Sequence, residues 1–341
     1  MKSVSAFGPG TNALSRATAN PKRAIRAADR GAANRSPRSR VFWLVLMLLA
    51  TGICGAAGEM EKESIVIAQA QVALAAAEGA VQHPGLRVAM IQMDVIDGDL
   101  AENTRRAEKS IREAADQKAD LVCLPEAADL GWLYQKAREN AQPIPGAYTD
   151  LLSNLAKELN VWICGGCLEK DGEKTFNSAI LIDRSGAIVL KHRKISTLPK
   201  LTAHLYDAGN SGDIKVVDTE FGRVGVTICA DNFNIVHPQK VADQGAWLLI
   251  TPHGFAEKQE DLLDNGVAFI NHIKNVASKT KLWVVGTNTA LSEVAGGDWK
   301  GYLHSGASTI ADPAGKAKVI GRFLEPDLVI YDIPVATPPS E

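Results

Sequence analysis

The run Gly222-Arg223-Val224-Gly225-Val226-Thr227-Ile228-Cys229-Ala230-Asp231-Asn232-Phe233 decides how the rest of the chain is read. Val224 to Ile228 is uncharged and biased to β-branched residues, which predicts a short buried strand. A cysteine closes that strand, and two polar residues and an aromatic follow at once. In an α/β sheet, ligands bind beyond the carboxyl ends of the strands, so a thiol at that point is placed for chemistry. Taken alone, Cys229 reads more readily as a small buried hydrophobe, the common state of a free cysteine, than as a nucleophile.

On either side of this run, strand and helix patterns alternate. Arg87 to Val95 predicts a strand. Asp99 to Ala115 predicts a helix with Leu100, Ala107, Ile111 and Ala114 on one face and charges on the other. Ala119 to Leu124 predicts a strand that ends at Pro125-Glu126, and Tyr148 to Leu159 a helix. Val161 to Leu168, Ser178 to Ile182 and Ile188 to Lys191 predict strands with turns at Asp171-Gly172 and Arg184-Ser185-Gly186. Ile214 to Val217 leads into the cysteine strand. His237 to Gln244 predicts a helix, Ala246 to Ile250 a strand and Glu260 to Ser278 a long helix. Leu282 to Val285, Ala307 to Ile310 and Leu328 to Tyr331 complete the pattern. Strands and helices in this mixture, over roughly 250 residues, predict one α/β domain with two sheets and helices outside. There is no internal repeat and no glycine-rich phosphate loop.

The 341 residues carry a formal net charge of −2, with 46% hydrophobic residues, enough for a large core. Residues 1–40 hold nine Lys/Arg and one acid, Asp29, a net of +8 against −2 for the whole, so the rest carries −10. A mildly acidic body gives nucleic acid no basic patch to bind. The leader has no hydrophobic period and reads as disordered. After it, residues 41–57 are uncharged and end in Cys54-Gly55-Ala56-Ala57-Gly58, the form of a secretory signal peptide. Seventeen residues sit at the short edge for a spanning helix, so an uncleaved membrane anchor is the alternative. The expected organisation is therefore leader plus signal over 1–57, a possibly helical alanine-rich spacer over 58–85, a catalytic body over 86–336 and a short tail over 337–341. The expected location is periplasmic or extracellular, with membrane contact only through 41–57 if that segment is uncleaved.

Five cysteines, Cys54, Cys123, Cys164, Cys167 and Cys229, do not form a disulfide framework. Cys164-Gly165-Gly166-Cys167 has C-x-x-C spacing, but it lies inside a predicted strand rather than between a strand and a helix, where a redox pair belongs. No second C-x-x-C or close histidine pair completes a zinc site, so neither metal nor other cofactor is expected.

Three chemical groups each close a predicted strand: Glu126 after Leu121-Val122-Cys123-Leu124-Pro125, Lys194 after Val189-Leu190-Lys191-His192-Arg193, and Cys229. Alone, Glu126 reads as a solvated loop acid and Lys194 as one cation in a surface cluster with Lys191, His192 and Arg193. In this order and with these flanks, Leu-Pro-Glu126, Arg193-Lys194 and Gly-Val-Thr-Ile-Cys229-Ala-Asp resemble the nitrilase (carbon–nitrogen hydrolase) superfamily. Arg87-Val88-Ala89-Met90-Ile91-Gln92, Phe176-Asn177-Ser178-Ala179, Gly245-Ala246-Trp247-Leu248-Leu249 and Ala311-Asp312-Pro313-Ala314-Gly315 agree with it. The resemblance covers about 86 to 335. It implies a four-layer αββα sandwich, commonly assembled as a dimer or larger homo-oligomer, and a Glu-Lys-Cys triad acting on amides, nitriles or carbamoyl groups. Carried over, Cys229 is the nucleophile, Glu126 the general base and Lys194 the cationic partner. Elementary chemistry agrees: an ammonium favours the thiolate, and a carboxylate in a cleft can pass a proton from thiol to leaving amine.

The candidate oxyanion and substrate contacts are Ala230, Trp132, Asp231, Asn232, His253 and Phe255. Ala230 offers a backbone N–H beside the nucleophile, and Asp231 and Asn232 read as caps of the next turn. Trp132 follows Leu130-Gly131, and Pro252-His253-Gly254-Phe255 reads as a loop after its strand. Asn177, just before a strand, reads as structural. The chain also departs from the family pattern. Ile195 to Gly209 lacks the second glutamate that many members carry, and Thr202, His204 and Asp207 are the nearest polar residues there. Ala230 stands where an aromatic is common, and Val276-Ala277-Ser278-Lys279-Thr280 replaces an Arg-Ala-x-Glu-Asn run. The expected activity is hydrolysis of a small carboxamide or N-carbamoyl compound. Nitrile hydrolysis, acyl transfer to an amine and a catalytically silent binding module are the competing readings.

Overall fold

Successive side chains of a strand point to opposite faces, and here both faces are apolar but fill different cores. Along the first strand, Leu86, Val88 and Met90 join one core, while Ala89 and Ile91 join another. That division builds the layers.

The computed structural model describes residues 85–334. The leader, the hydrophobic run 41–57, nearly all of the spacer and the tail lie outside the described residues. In chain order the strands are β1 (Gly85–Gln92), β2 (Leu121–Cys123), β3 (Trp162–Asp171), β4 (Lys174–Ile182), β5 (Ile188–Arg193), β6 (Val216–Thr219), β7 (Gly222–Val226), β8 (Leu248–His253), β9 (Ala256–Glu257), β10 (Trp283–Asn288), β11 (Leu303–His304), β12 (Thr309–Ala311), β13 (Ala317–Ile320) and β14 (Asp327–Pro334). The helices are α1 (Leu100–Asp116), α2 (Ala137–Asn140), α3 (Ala147–Leu159), α4 (Pro199–Thr202), α5 (Val236–Asp243) and α6 (Leu262–Thr280).

One six-stranded sheet has the order β14-β1-β2-β3-β4-β5, the other β13-β12-β10-β8-β7-β6. Each contains a parallel trio, β1-β2-β3 and β7-β8-β10. Antiparallel strands extend both sheets, and β14 returns to pair with β1. Between the sheets lies a core drawn from both, with Val88, Met90, Leu121 and Leu181 facing Val224, Val226, Ile250, Val285 and Ile310. Ala107, Ile111 and Ala114 of α1 and Leu152, Leu155 and Ala156 of α3 cover the outer face of the first sheet. Phe269, Ile273, Val276 and Ala277 of α6, with Val241 of α5, cover the second. The result is the four-layer αββα sandwich that the resemblance implied.

Local sequence explains most boundaries. Asp99 caps α1 by accepting the Glu102 N–H at 3.1 Å. Asn103, polar but buried on the helix's inner face, donates to Ile96 O at 2.7 Å and Asp129 O at 2.8 Å. The helix is thereby tied to the segment that follows Glu126. Cys164 and Cys167, three positions apart in β3, point to opposite faces and enter different cores. All four described cysteines are free and buried, so the C-x-x-C run is strand, as its position indicated.

Strand ends shift from expectation in several places, and three departures matter here. β13 carries no clear alternation and is found only by its pairing with β12. The cysteine strand ends at Val226, three residues before the thiol. β8 runs on to His253, so Pro252 and His253 are strand rather than loop. Pro252 is tolerated because β7 pairs with β8 only as far as Ile250; beyond it, β8 has β10 alone as a neighbour and needs no second ladder donor.

Candidate active site

Strand ends from both sheets meet at one end of the sandwich. Glu126 follows β2, and the turn that carries it packs against β3 at Gly166. A Cβ on Gly166 would lie 2.4 Å from Pro125 O and 2.9 Å from Glu126 Cα, so only glycine admits this approach. The Glu126 N–H donates to His253 O at 3.3 Å, which joins the two sheets at the site itself.

The Glu126 carboxylate is buried and takes three donors. Lys194 Nζ donates to Oε1 at 2.5 Å and Asn177 Nδ2 to the same oxygen at 2.8 Å. The Gly254 N–H donates to Oε2 at 2.8 Å. Lys194 is fully buried with it. Burial alone pulls the ammonium down, but the Glu126 carboxylate, with Tyr206 and Cys229, more than offsets that and holds Lys194 above the usual lysine range. Its stem also passes the Trp132 ring, with Nζ 5.2 Å from the centroid.

The basic run that looked like a surface cluster is sorted by strand period. Lys191 and Arg193 reach the buried Glu169 at 2.5 Å each. His192 and Lys194 point the other way, to Asp231 and Glu126. Alternation therefore separates a structural ion cluster from a site lysine in four consecutive residues.

Cys229 opens a single 3₁₀ turn, Cys229–Phe233, with φ +43, a left-handed conformation costly for a residue with a Cβ. Its surroundings enforce it. Asn232 Nδ2 donates to Cys229 O at 3.2 Å and to Thr251 Oγ1 at 2.5 Å, while Thr227 Oγ1 donates to Asn232 Oδ1 at 2.8 Å. Burial, then the Glu126 carboxylate, push the thiol above its usual range, and Lys194 and the Gly254 N–H only partly counter them. The resting group is thus a neutral thiol facing a carboxylate and an ammonium. The expectation that the ammonium would favour the thiolate is outweighed by desolvation.

Asp231 and Asn232 are occupied with framework. Asp231 Oδ1 accepts the N–H groups of Ile195 and Ser196 at 2.8 and 2.7 Å. Its Oδ2 accepts Ile228 N–H at 3.0 Å and His192 Nε2 at 2.8 Å. One carboxylate so clamps the segment beside Lys194, on the first sheet, to the cysteine turn on the second. Burial raises its pKa, but His192 and the amides win and hold it below the usual aspartate range. Asp231→Asn removes acceptor capacity from a fully buried group, and we expect a loss of about 2–4 kcal/mol in urea unfolding. Its contribution is fully present above the ordinary aspartate pKa and is lost as pH falls through the depressed value, so the wild-type advantage over Asp231→Asn will shrink in acid.

Trp132 is buried over Gly254, where a Cβ would meet its ring at 2.4 Å, and packs edge-on against Trp299 at 5.7 Å. Ala230 is buried beside the thiol. His253 lies on the helix-facing side of β8, its ring against Phe269 and Phe255. His253 Nδ1 donates to Thr251 O at 2.7 Å, and burial holds the ring neutral, far below the usual histidine pKa. Phe255 stacks with His272 and, at 6.1 Å, meets the exposed Phe233.

Of the three polar residues noted where a second glutamate is common, none meets Glu126 or Lys194 through a side-chain hydrogen bond among the described residues. His204 is exposed and pairs with Gln135 at 3.1 Å, Thr202 donates to Thr197 O, and Asp207 takes Arg138 at 2.9 Å. The residue from that segment that faces the pair is Tyr206, buried between Lys194, Glu126 and Asn177. Asn177 corrects the reading given to it, since it lies inside β4 and its amide holds Glu126. No local pattern marks Tyr206, and Asn177 lies in Phe176-Asn177-Ser178-Ala179, a run that agrees with the family resemblance without naming a role for its amide. Among the described residues no cluster of His, Cys, Asp and Glu has the form of a metal centre.

Comparison with known proteins identifies the family. Residues 87–337 match the carbon–nitrogen hydrolase family model. The omega-amidase of Bos taurus is 30% identical over 256 residues, 72% of this chain and 87% of that protein. The omega-amidase of Homo sapiens is 29% identical over the same shares. An amidase from Nesterenkonia sp. superposes with a TM-score of 0.64 at 18% identity, over 75% of this chain and 93% of that one. The chain therefore belongs to the carbon–nitrogen hydrolase family, the nitrilase superfamily, and is a carbon–nitrogen hydrolase.

Proposed function

We propose that this hydrolase cleaves a small carboxamide or N-carbamoyl compound through a thioester on Cys229. The observation that carries the reading is a buried Glu126–Lys194 pair facing a thiol held in a left-handed turn. Glu126 takes the thiol proton as sulfur attacks the carbonyl carbon. The Lys194 ammonium and the Ala230 N–H, at the open start of its turn, receive the developing oxyanion. Protonated Glu126 then gives its proton to the leaving amine, the C–N bond breaks, and the thioester forms. Water, deprotonated by Glu126, attacks the thioester and releases acid and thiol. Asn177 and the Gly254 amide keep the carboxylate aimed throughout. Two similarities support an amide over a nitrile: the omega-amidases named above, and a Nesterenkonia amidase structure in which the acetamide moiety of fluoroacetamide is joined to the active-site cysteine.

The test is intact mass spectrometry of the purified chain after brief exposure to amides, carbamoyl amines and nitriles. An adduct that maps to Cys229, with a mass equal to the acyl group, is the expected result. No adduct at Cys229 from any compound would turn the assignment toward a silent binding module. The same spectrum of secreted protein checks the proposed export and cleavage near residue 57, and native mass checks the proposed homo-oligomer.

A further inference from the structure

We propose that Asp129 is a positioning residue for Glu126: its carboxylate staples the turn that carries the base to β3, and its protonation loosens that turn. The proposal rests on the reading of Glu126 as the base. β2 ends at Cys123, but the edge of β3 beyond it stays paired. The Leu124 N–H donates to Cys164 O at 2.9 Å and the Ala128 N–H to Gly166 O at 3.0 Å. At the next rung the direction reverses and a side chain takes over. The Leu168 N–H donates to Asp129 Oδ1 at 3.1 Å and to Oδ2 at 3.0 Å. Oδ1 also accepts the Leu130 N–H at 2.8 Å. Glu126 sits between the first of these rungs and the last two. Ala127 beside it is held at φ +43, a left-handed conformation that persists only where its neighbours are fixed. From the other side, Asn103 of α1 donates to Asp129 O at 2.8 Å.

Asp129 is buried, and among the described residues no cation pairs with it. Burial raises its pKa to about 7, against the pull of the Leu168 and Leu130 amides. The groups that face it are neutral near that pH. They are Asn103 from α1, Tyr148 from α3 and Cys167 from β3, and burial pushes the last two above their usual ranges. The Glu169–Lys191 pair near Cys167 balances its own charge at 2.5 Å. Ionised, the Asp129 carboxylate offers acceptors alone to its N–H donors. Protonated, one oxygen becomes a donor among donors, and the other accepts without the help of charge. The staple is therefore tight above about pH 7 and slack below it.

The full chain and Asp129→Asn are compared on propanamide, N-carbamoylglycine or propionitrile, whichever turns over fastest. Asparagine, like the protonated acid, sets a donor against those amides. We expect kcat of Asp129→Asn to lie roughly tenfold below wild type near pH 8, with KM little changed, and within about twofold of it near pH 5.5, the cost of a misplaced base. A merely structural loss gives a ratio that does not depend on pH. A ratio that is flat between those two values, or near one throughout, overturns the proposal. Amide NMR signals answer without turnover. In wild type the Leu168 and Leu130 N–H signals should titrate with one midpoint near pH 7. The Gly254 N–H, which donates to Glu126 at 2.8 Å, should shift with them, and that step should vanish in Asp129→Asn. A Gly254 signal that stays still while Leu168 titrates, or that titrates unchanged in the variant, breaks the link to Glu126. If none of the three compounds turns over, the amidase reading falls and the amide signals alone decide the role of Asp129. The wild-type signals suffice should Asp129→Asn not fold.

Discussion

Cys229→Ala will, on the proposed thioester mechanism, lower kcat by about 10⁴-fold or more while leaving the fold intact, since removing the nucleophile that mechanism assigns erases the intermediate rather than one interaction with it. The substitution deletes a sulfur from a turn whose shape is set elsewhere. Asn232 grips Cys229 through its backbone carbonyl, and Asp231 grips the preceding Ile228 N–H, neither through the thiol. Alanine still carries a Cβ in the left-handed position, so the backbone cost is common to both proteins. Steady-state turnover and a thermal melt make the comparison. Retained turnover would end the thioester mechanism, and a collapsed melt would mean that the thiol has a structural part that its contacts do not show.

Lys194→Met will cost both stability and activity, and a second substitution will separate the two. Methionine leaves the Glu126 carboxylate buried with two neutral donors, Asn177 Nδ2 and the Gly254 N–H, and no cation. Breaking a buried pair from one side costs about 3–5 kcal/mol, because the remaining charge stays desolvated. Turnover will be lost as well, through the missing oxyanion partner. Adding Glu126→Gln removes the stranded charge. We expect the double variant to recover most of the lost unfolding free energy and none of the turnover. If the double variant is no more stable than Lys194→Met, the pair is not the coupled unit described here. If it regains turnover, Glu126 is not the base.

The layers were legible in the chain because their signals are local. The period of Ala107, Ile111 and Ala114 marks α1 without any knowledge of its partner, and the apolar runs mark the parallel strands. The three candidate site residues were legible because each closes such a run. What was not legible depends on pairing across the fold. The donors to Glu126 come from 51, 68 and 128 positions away, and no single run of sequence shows that they converge. The extension of β8 through Pro252 depends on where β7 stops. The left-handed turn at Cys229 is enforced by Thr227, Asn232 and Thr251 together, no one of which marks it alone. Asp231 reads from sequence as a local cap, yet its acceptors are used to join two sheets. Tyr206 lies in a stretch whose most polar members, His204 and Asp207, turn outward.

The acid and the cation of this site ride on one slab, and the thiol rides on the other. Reaction geometry is therefore a gauge of the distance between the slabs, which the apolar filling sets. Val285 and Ile310 are part of that filling, in one core with Cys229. Trimming Ile310 to alanine is expected to cost about 2–5 kcal/mol in unfolding, and any settling of the slabs that follows will be read in turnover as well.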